Sequence, residues 1–302
     1  MTVMAYYPGC SLLGSSREYG ESLRAILPAL GVELAEVPDW NCCGASSAHA
    51  IDRDLSLSLP ARILSLAETL DADEMLVPCA ACYNRLASAR HELEDAATRE
   101  RITGITGLGY KGSIRPLNIL EFLSKHADIL RNKTVKPFAH EVACYYGCLL
   151  VRPPKVTRFD RSEDPRSMDA LMSAIGATPV EWAFKVECCG AGHSITRTDL
   201  VGKLSYRIID NAVRHGAQAI IAACPMCHSN LDMRRSFINR AAGKKYSIPV
   251  LFITQAVGLA VGIDRKELGL HRHIVTVRFP DAKPGPEPKP RAAEAPQPAA
   301  SE

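Results

Sequence analysis

Cysteine is the residue whose number and spacing could do chemistry in this chain. The 302 residues include eleven, and ten of them form two sets of five in the same order. Cys10 is followed by the adjacent pair Cys42 and Cys43, with Gly44 next, and then by Cys79 and Cys82 in a Cys-Ala-Ala-Cys motif. Cys148, the pair Cys188 and Cys189 with Gly190, and Cys224 and Cys227 in Cys-Pro-Met-Cys repeat the pattern. Matching positions are offset by 138, 146 and 145 residues. A fixed order at a near-constant offset is the signature of an internal duplication. The flanks agree: Tyr6-Tyr7-Pro8-Gly9-Cys10 answers Tyr145-Tyr146-Gly147-Cys148. Only Cys144 has no counterpart.

Five thiols per half bear on the choice of metal. Structural zinc takes four ligands in a closed tetrahedron, which leaves one cysteine surplus. Adjacent cysteines are also awkward on a single ion, because neighbouring side chains in extended backbone point apart. A cluster with several irons can use both, and thiolate-only ligation suits iron–sulfur clusters. The usual cubane uses four cysteines, so five hint at a different cluster. Zinc in one half and thiol redox pairs stay open on the residues alone.

The composition sets limits on partners. About half of the residues are apolar (47%), 23% are charged, and the net charge of +3 is too small to argue for nucleic acid. No apolar run reaches the length of a membrane-spanning helix. No signal-peptide pattern is visible at the start, so a cytoplasmic location is expected. A reducing compartment also disfavours structural disulfides, which leaves metal binding or redox chemistry for the thiols.

Elements must bring distant cysteines together. In the first half, the pattern predicts strands at 3–7, 32–37 and 74–77. It predicts helices from a Ser15 or Ser16 cap to about 30, at 55–70, and from Cys82 to about 97. In the second half, strands are expected at 141–145, 179–182 and 219–222, with helices at 167–175, 200–215 and after Cys227. The extra length of the second half falls in a Pro-rich, charged surface loop at 152–166. Alternating strands and helices imply an α/β fold of two tandem, pseudo-symmetric open parallel-sheet domains, with the cysteine loops at the carboxyl ends of the strands. Following helix N-termini would favour thiolates and an anionic cluster. The expected domains are 1–135 and 136–279. The Pro/Ala-rich segment 280–302 is expected to be a disordered tail.

Two copies of Cys…Cys-Cys-Gly…Cys-x-x-Cys are the hallmark of the CCG cysteine-rich domain, and residues 1 to about 280 resemble the B subunit of heterodisulfide reductase. The resemblance extends to Ile248-Pro249-Val250-Leu251, Gly258-Leu259-Ala260 and Lys266-Glu267-Leu268-Gly269-Leu270. It implies two noncubane [4Fe-4S] clusters. One would be held by Cys10, Cys42, Cys43, Cys79 and Cys82, the other by Cys148, Cys188, Cys189, Cys224 and Cys227. It also implies a disulfide cleaved between the clusters, each supplying one electron. The implied partners in a heterodisulfide reductase-like complex are a ferredoxin-like subunit, which links to this chain, with a flavin-containing subunit beyond it. This chain itself has no dinucleotide fingerprint. The stretch from Asp39 to Ala45 looks closer to bacterial versions, where a small thiol or disulfide, a persulfide or a protein-bound dithiol could be the substrate. A second reading is a non-catalytic electron-transfer module like the cysteine-rich subunits related to succinate dehydrogenase or glycolate oxidase.

Other motifs carry less. Cys224-Pro-Met-Cys227-His228 matches the c-type haem attachment pattern, but the repeat has Tyr83 in place of the histidine. Cys144 reads as a small apolar residue at a strand end, with a swap ligand or a redox partner of Cys148 as the functional alternative. His49 and His193, each shortly after a Cys-Cys-Gly, are weak candidates for donating protons to a leaving thiolate, and solvated loop histidines are the simpler reading. Lys185, Arg197 and Arg53 could steer an anionic substrate, and solvating the rim of the site is the simpler reading.

Overall fold

A computed structural model describes residues 2–45 and 47–279; the expected tail lies outside the described residues. Among the described residues, eight strands form two four-stranded sheets. The first contains β1 (Thr2–Tyr6), β2 (Val32–Glu36), β3 (Glu74–Leu76) and β4 (Arg115–Leu117) in the order β2-β1-β3-β4. The second contains β5 (Glu141–Tyr145), β6 (Thr178–Pro179), β7 (Ala219–Ala222) and β8 (Val250–Phe252) in the order β6-β5-β7-β8. Every pairing is parallel, as strands joined by helical crossovers require. The expected α/β architecture of two parallel-sheet halves is the one observed.

Burial on both faces explains the composition of the central strands. Ala219–Ala222 is buried at all four positions between β5 and β8, so it reads as an unbroken apolar run rather than an alternation. Edge strands tolerate proline because one flank needs no ladder donor. Pro116 in β4 and Pro179 in β6 both sit there. Pairing in β6 stops at Pro179, which shortens the strand expected at 179–182. The three-residue β4 was not expected at all.

Helix boundaries also differ from expectation. Ser16 occupies the N-cap position of the helix Arg17–Leu30 without a side-chain cap bond, and Gly31 ends that helix at φ +69°, the left-handed position that glycine adopts freely. The helix expected from Cys82 begins earlier, at Ala80, and stops at Glu92. Asp95 then caps a new helix, Ala96–Thr106, by accepting from the Thr98 N–H, and that local bond wins over continuation.

The two sheets share one continuous apolar core. Arg17–Leu30 packs on Ile253–Ala260 from the other half. There Tyr19 stacks on Phe252 at 4.1 Å, and the Ser22 and Thr254 hydroxyls are 2.6 Å apart.

Candidate metal centre

In each sheet the three cysteine segments leave the carboxyl ends of three neighbouring strands. Cys10, the Cys42–Cys43 pair and Cys79 follow β1, β2 and β3; Cys148, the Cys188–Cys189 pair and Cys224 follow β5, β6 and β7. The strand order reverses between β1 and β3, and between β5 and β7, so the helices leaving those ends diverge and open a crevice. Chain topology alone therefore gathers cysteines that lie far apart in sequence.

Local geometry then brings sulfurs together. Cys79 and Cys224 are the N-cap residues of Ala80–Glu92 and Pro225–Asp232. Both helices thus start before Cys82 and Cys227, not at or after them, and their first-turn N–H groups bond to the sulfurs of the N-cap residues Cys79 and Cys224, where they favour the thiolate. Cys43 Sγ lies 3.2 Å from Cys82 Sγ, and Cys189 Sγ lies 3.7 Å from Cys227 Sγ. Gly9 and Gly147 both have φ +66°, and a Cβ on either would stand 3.1 Å from Cys82 Sγ or 3.0 Å from Cys227 Sγ. These two glycines are required by φ and by the close approach of a sulfur.

A tyrosine in each half fixes the paired cysteines. Tyr7 donates its hydroxyl to the Asn41 carbonyl at 2.9 Å, and Tyr145 donates to the Glu187 carbonyl at 2.7 Å. Each acceptor is the residue before the Cys-Cys pair. All five thiols of the second set, with Tyr146, Leu149, Ala191, Met226 and Ala80 of the first half, line one narrow cavity. Cys10, Cys42 and Cys188 are exposed and Cys148 is half-buried, whereas Cys43, Cys79, Cys82, Cys189, Cys224 and Cys227 are buried. Each set thus has an outer lip that solvent reaches and an inner dry wall.

Crowding splits the acidities of the thiols. Cys43 is pulled down to about 3 by hydrogen bonds from Cys42 and Cys82. Cys188 is pulled down to about 6 by the Cys148 thiol, helped by the N–H groups of Gly190 and Ala191 and by the charge of His193. Their donors Cys42, Cys82 and Cys148 are correspondingly pushed up. Neighbouring thiols that share protons in this way are suited to giving them up to a metal. Cys224 is pulled down by Cys227 and Cys79, and Cys79 is pushed up by Cys224, so the two sets approach each other at these buried thiols. Beside them, the Tyr19 hydroxyl lies 3.2 Å from the Pro78 carbonyl and 3.3 Å from the Ala223 carbonyl, the residues preceding Cys79 and Cys224.

Two neighbours were missed in the sequence although the repeat marks them. Arg85 and Asn230 each follow the last cysteine of their set by three residues, one helical turn on. Asn230 donates to Cys189 Sγ at 3.5 Å and to the Cys189 carbonyl at 3.2 Å. The Arg85 charge helps pull Cys43 down.

The other sequence candidates divide. Lys185 is not at the rim: it is 2% exposed, with Nζ 2.8 Å from Asp169 Oδ1. That carboxylate also accepts the Tyr146 hydroxyl at 2.6 Å. A buried ammonium must be paired, and Asp169 lies too far from Lys185 in sequence for the pairing to be read there. Arg197 and Arg53 are exposed and paired with Asp199 and Glu92. His49 and His193 are exposed, and the charge of His193 reaches Cys188. Cys144 is fully buried on β5 opposite Ile221, and burial pushes its thiol well up. His228 is buried, bonded through Nε2 to the Val250 carbonyl at 3.0 Å and stacked on Phe252.

The duplicated cradle has relatives. The family described as CCG, cysteine-rich domain, matches twice, over residues 4–87 and 142–232. The chain belongs to this family. It is 34% identical over 275 residues to the membrane anchor of the 8-methylmenaquinol:fumarate reductase of Wolinella succinogenes, covering 90% of this chain and 96% of that one. It is 30% identical over 285 residues to the B subunit of the ferredoxin:CoB-CoM heterodisulfide reductase of Methanosarcina mazei, covering 91% and 94%. A protein of Archaeoglobus profundus, described as like the B subunit of heterodisulfide reductase, is 26% identical over 89% and 93%. Among solved structures, a hypothetical protein from Helicobacter pylori shares the fold at a TM-score of 0.70 and 14% identity over 92% of this chain. The chain spans about half (52%) of that structure's length. Among the described residues, no helix is long and apolar enough to cross a membrane.

Proposed function

We propose that this CCG protein is the iron–sulfur subunit of an oxidoreductase complex that cleaves or forms a disulfide, persulfide or protein-bound dithiol between two noncubane [4Fe-4S] clusters. Cys10, Cys42, Cys43, Cys79 and Cys82 would hold one, in a domain ending at residue 135. Cys148, Cys188, Cys189, Cys224 and Cys227 would hold the other, in the domain that follows to residue 279. The observation that carries the reading is the single cavity lined by all five thiols of the second set together with Ala80, the neighbour of Cys79. The donor set fits the group: thiols only, with N–H donors on sulfur and glycines where a Cβ would displace one.

When bound, two such clusters supply one-electron carriers, and reducing a disulfide to two thiols takes two electrons and two protons. The chain's own residues do the rest. Its buried thiols and the surrounding apolar side chains keep water from the inner wall, while the exposed lip at Cys10, Cys42 and Cys188 gives a sulfur substrate access. His49 and His193, both exposed, would be the candidates to return protons to a departing thiolate. The proposed electron partners are a ferredoxin-like subunit together with a flavin-bearing one. The eleven unpaired thiols suit a reducing compartment, the cytoplasm.

Similarity to the anchor of a fumarate reductase, with the buried contact between Cys79 and Cys224, favours a second reading, in which the chain relays electrons to an active site elsewhere. One experiment separates the two. Anaerobically purified protein is analysed for iron, acid-labile sulfide and zinc, and followed by electron paramagnetic resonance during titration with small thiols. About eight irons per chain and a thiol-dependent signal support catalysis at sulfur. Iron with no thiol response supports the relay. Stoichiometric zinc with little iron overturns both.

A further inference from the structure

We propose that a cleft at the seam of the two halves, separate from the thiols, binds a small anion carrying two or more phosphate or carboxylate groups. The cleft is concave and open to solvent, with a volume of about 220 Å³. One wall comes from the helix Ala80–Glu92 and the strand Arg115–Leu117, through Tyr83, Arg90 and Arg115. The facing wall comes from the insertion at 152–166, through Lys155 and Arg158. The residues lining this cleft and those lining the cysteine cavity do not overlap, although Tyr83 is the neighbour of Cys82.

Glu94 also lines the cleft, and the positive charge there is only partly compensated. Arg115 is spent on Glu74 and Glu121, and His91 is 3.3 Å from Glu94. Among the described residues, Arg90, Lys155 and Arg158 take part in no ion pair, and the buried Nε of Arg90 has no hydrogen-bond partner. An unpartnered buried donor on a guanidinium is costly, and the last helical turn that carries Arg90 does not satisfy it. Arg158 holds φ +43°, a left-handed conformation that an arginine adopts only against a steric penalty. It is pinned there by an Nε bond to the Lys155 carbonyl at 3.1 Å. Tyr83 ties the walls together by donating to the Thr157 carbonyl at 3.0 Å. Three uncommitted cations on facing walls of a concave seam suit an oligoanion, since paired anionic groups can meet both walls at once and gain charge-assisted hydrogen bonds on each. The insertion that distinguishes the second half from the first thereby acquires a role.

This proposal does not depend on what the cysteines hold. The test is isothermal titration calorimetry on the full chain as isolated, at low ionic strength, with pyrophosphate and citrate as separate probes. One-to-one saturable binding of at least one probe is expected. Pyrophosphate alone would identify a phosphoryl ligand, and citrate alone a carboxylate one. Arg90→Gln, Lys155→Gln and Arg158→Gln should each weaken binding by roughly tenfold. Arg161→Gln, in the same insertion but outside the cleft, should leave it unchanged. Lys155 is exposed, so its substitution reads out binding even if the arginine variants fold poorly. Binding of neither probe, or binding that survives Lys155→Gln and Arg158→Gln in folded protein, overturns the proposal.

Discussion

Gly147→Ala tests whether the second cysteine set is a metal cradle, and Gly31→Ala is its built-in control. Both glycines sit at nearly the same φ, +66° and +69°, so an alanine at either should cost about 1–2 kcal/mol for the left-handed backbone. They differ in what the new methyl meets. At Gly31 nothing lies within 4 Å, whereas at Gly147 the methyl would be 3.0 Å from Cys227 Sγ. Ordinary contact begins at 3.4 Å, so the sulfur must retreat by about 0.4 Å, beyond the roughly 0.2 Å that metal–ligand distances tolerate. The expectation is a similar fall of a few degrees in melting temperature for both variants. Gly147→Ala should in addition lose about half of the bound iron, with the first set still loaded. The assay is iron and sulfide content beside thermal unfolding on anaerobic protein. If Gly147→Ala keeps all its iron, or if Gly31→Ala loses as much, the cradle argument fails.

Other substitutions probe the surroundings. Cys144→Ala should keep full iron and cost about 1–2 kcal/mol for a small cavity, whereas Cys189→Ser should lose the iron of one set; elemental analysis of the two decides it. Lys185→Met strands the Asp169 carboxylate in the interior and should destabilise by about 3–5 kcal/mol. Lys185→Met with Asp169→Asn should recover part of that in denaturant titrations, and a double variant no better than the single one would refute the pairing. Tyr19→Phe keeps the stack on Phe252 but removes the hydroxyl shared by the Pro78 and Ala223 carbonyls, at a cost of about 1–2 kcal/mol. Unchanged chemical denaturation would show that this bond contributes nothing to holding the halves together.

Much of the fold and of the candidate site could be read from the residues. Thiols are rare enough, and their order specific enough, for a duplication to show, and short apolar runs between helical patterns imply parallel sheets. Strands β5 and β7 fall at the expected residues because both are central and, after Glu141, continuously apolar. The edges were harder: β4 has three residues and a proline, and β6 has two, too few for any period to register. Arg85 and Asn230 carried a usable signal, their common place one turn after Cys82 and Cys227, which the cysteines alone overshadowed.

The sequence by itself determined the two sets of five thiols, their repeat and the kind of sheet that could gather them, because those follow from residue type, spacing and local period. Only the tertiary structure decided how the halves meet. It placed Cys79 against Cys224 under the Tyr19 hydroxyl, buried Lys185 on Asp169, and turned the insertion at 152–166 into a wall facing Arg90. Each of these joins groups from separate segments of the chain. Such contacts depend on how sheets and helices pack against one another, and no local pattern of residues encodes that.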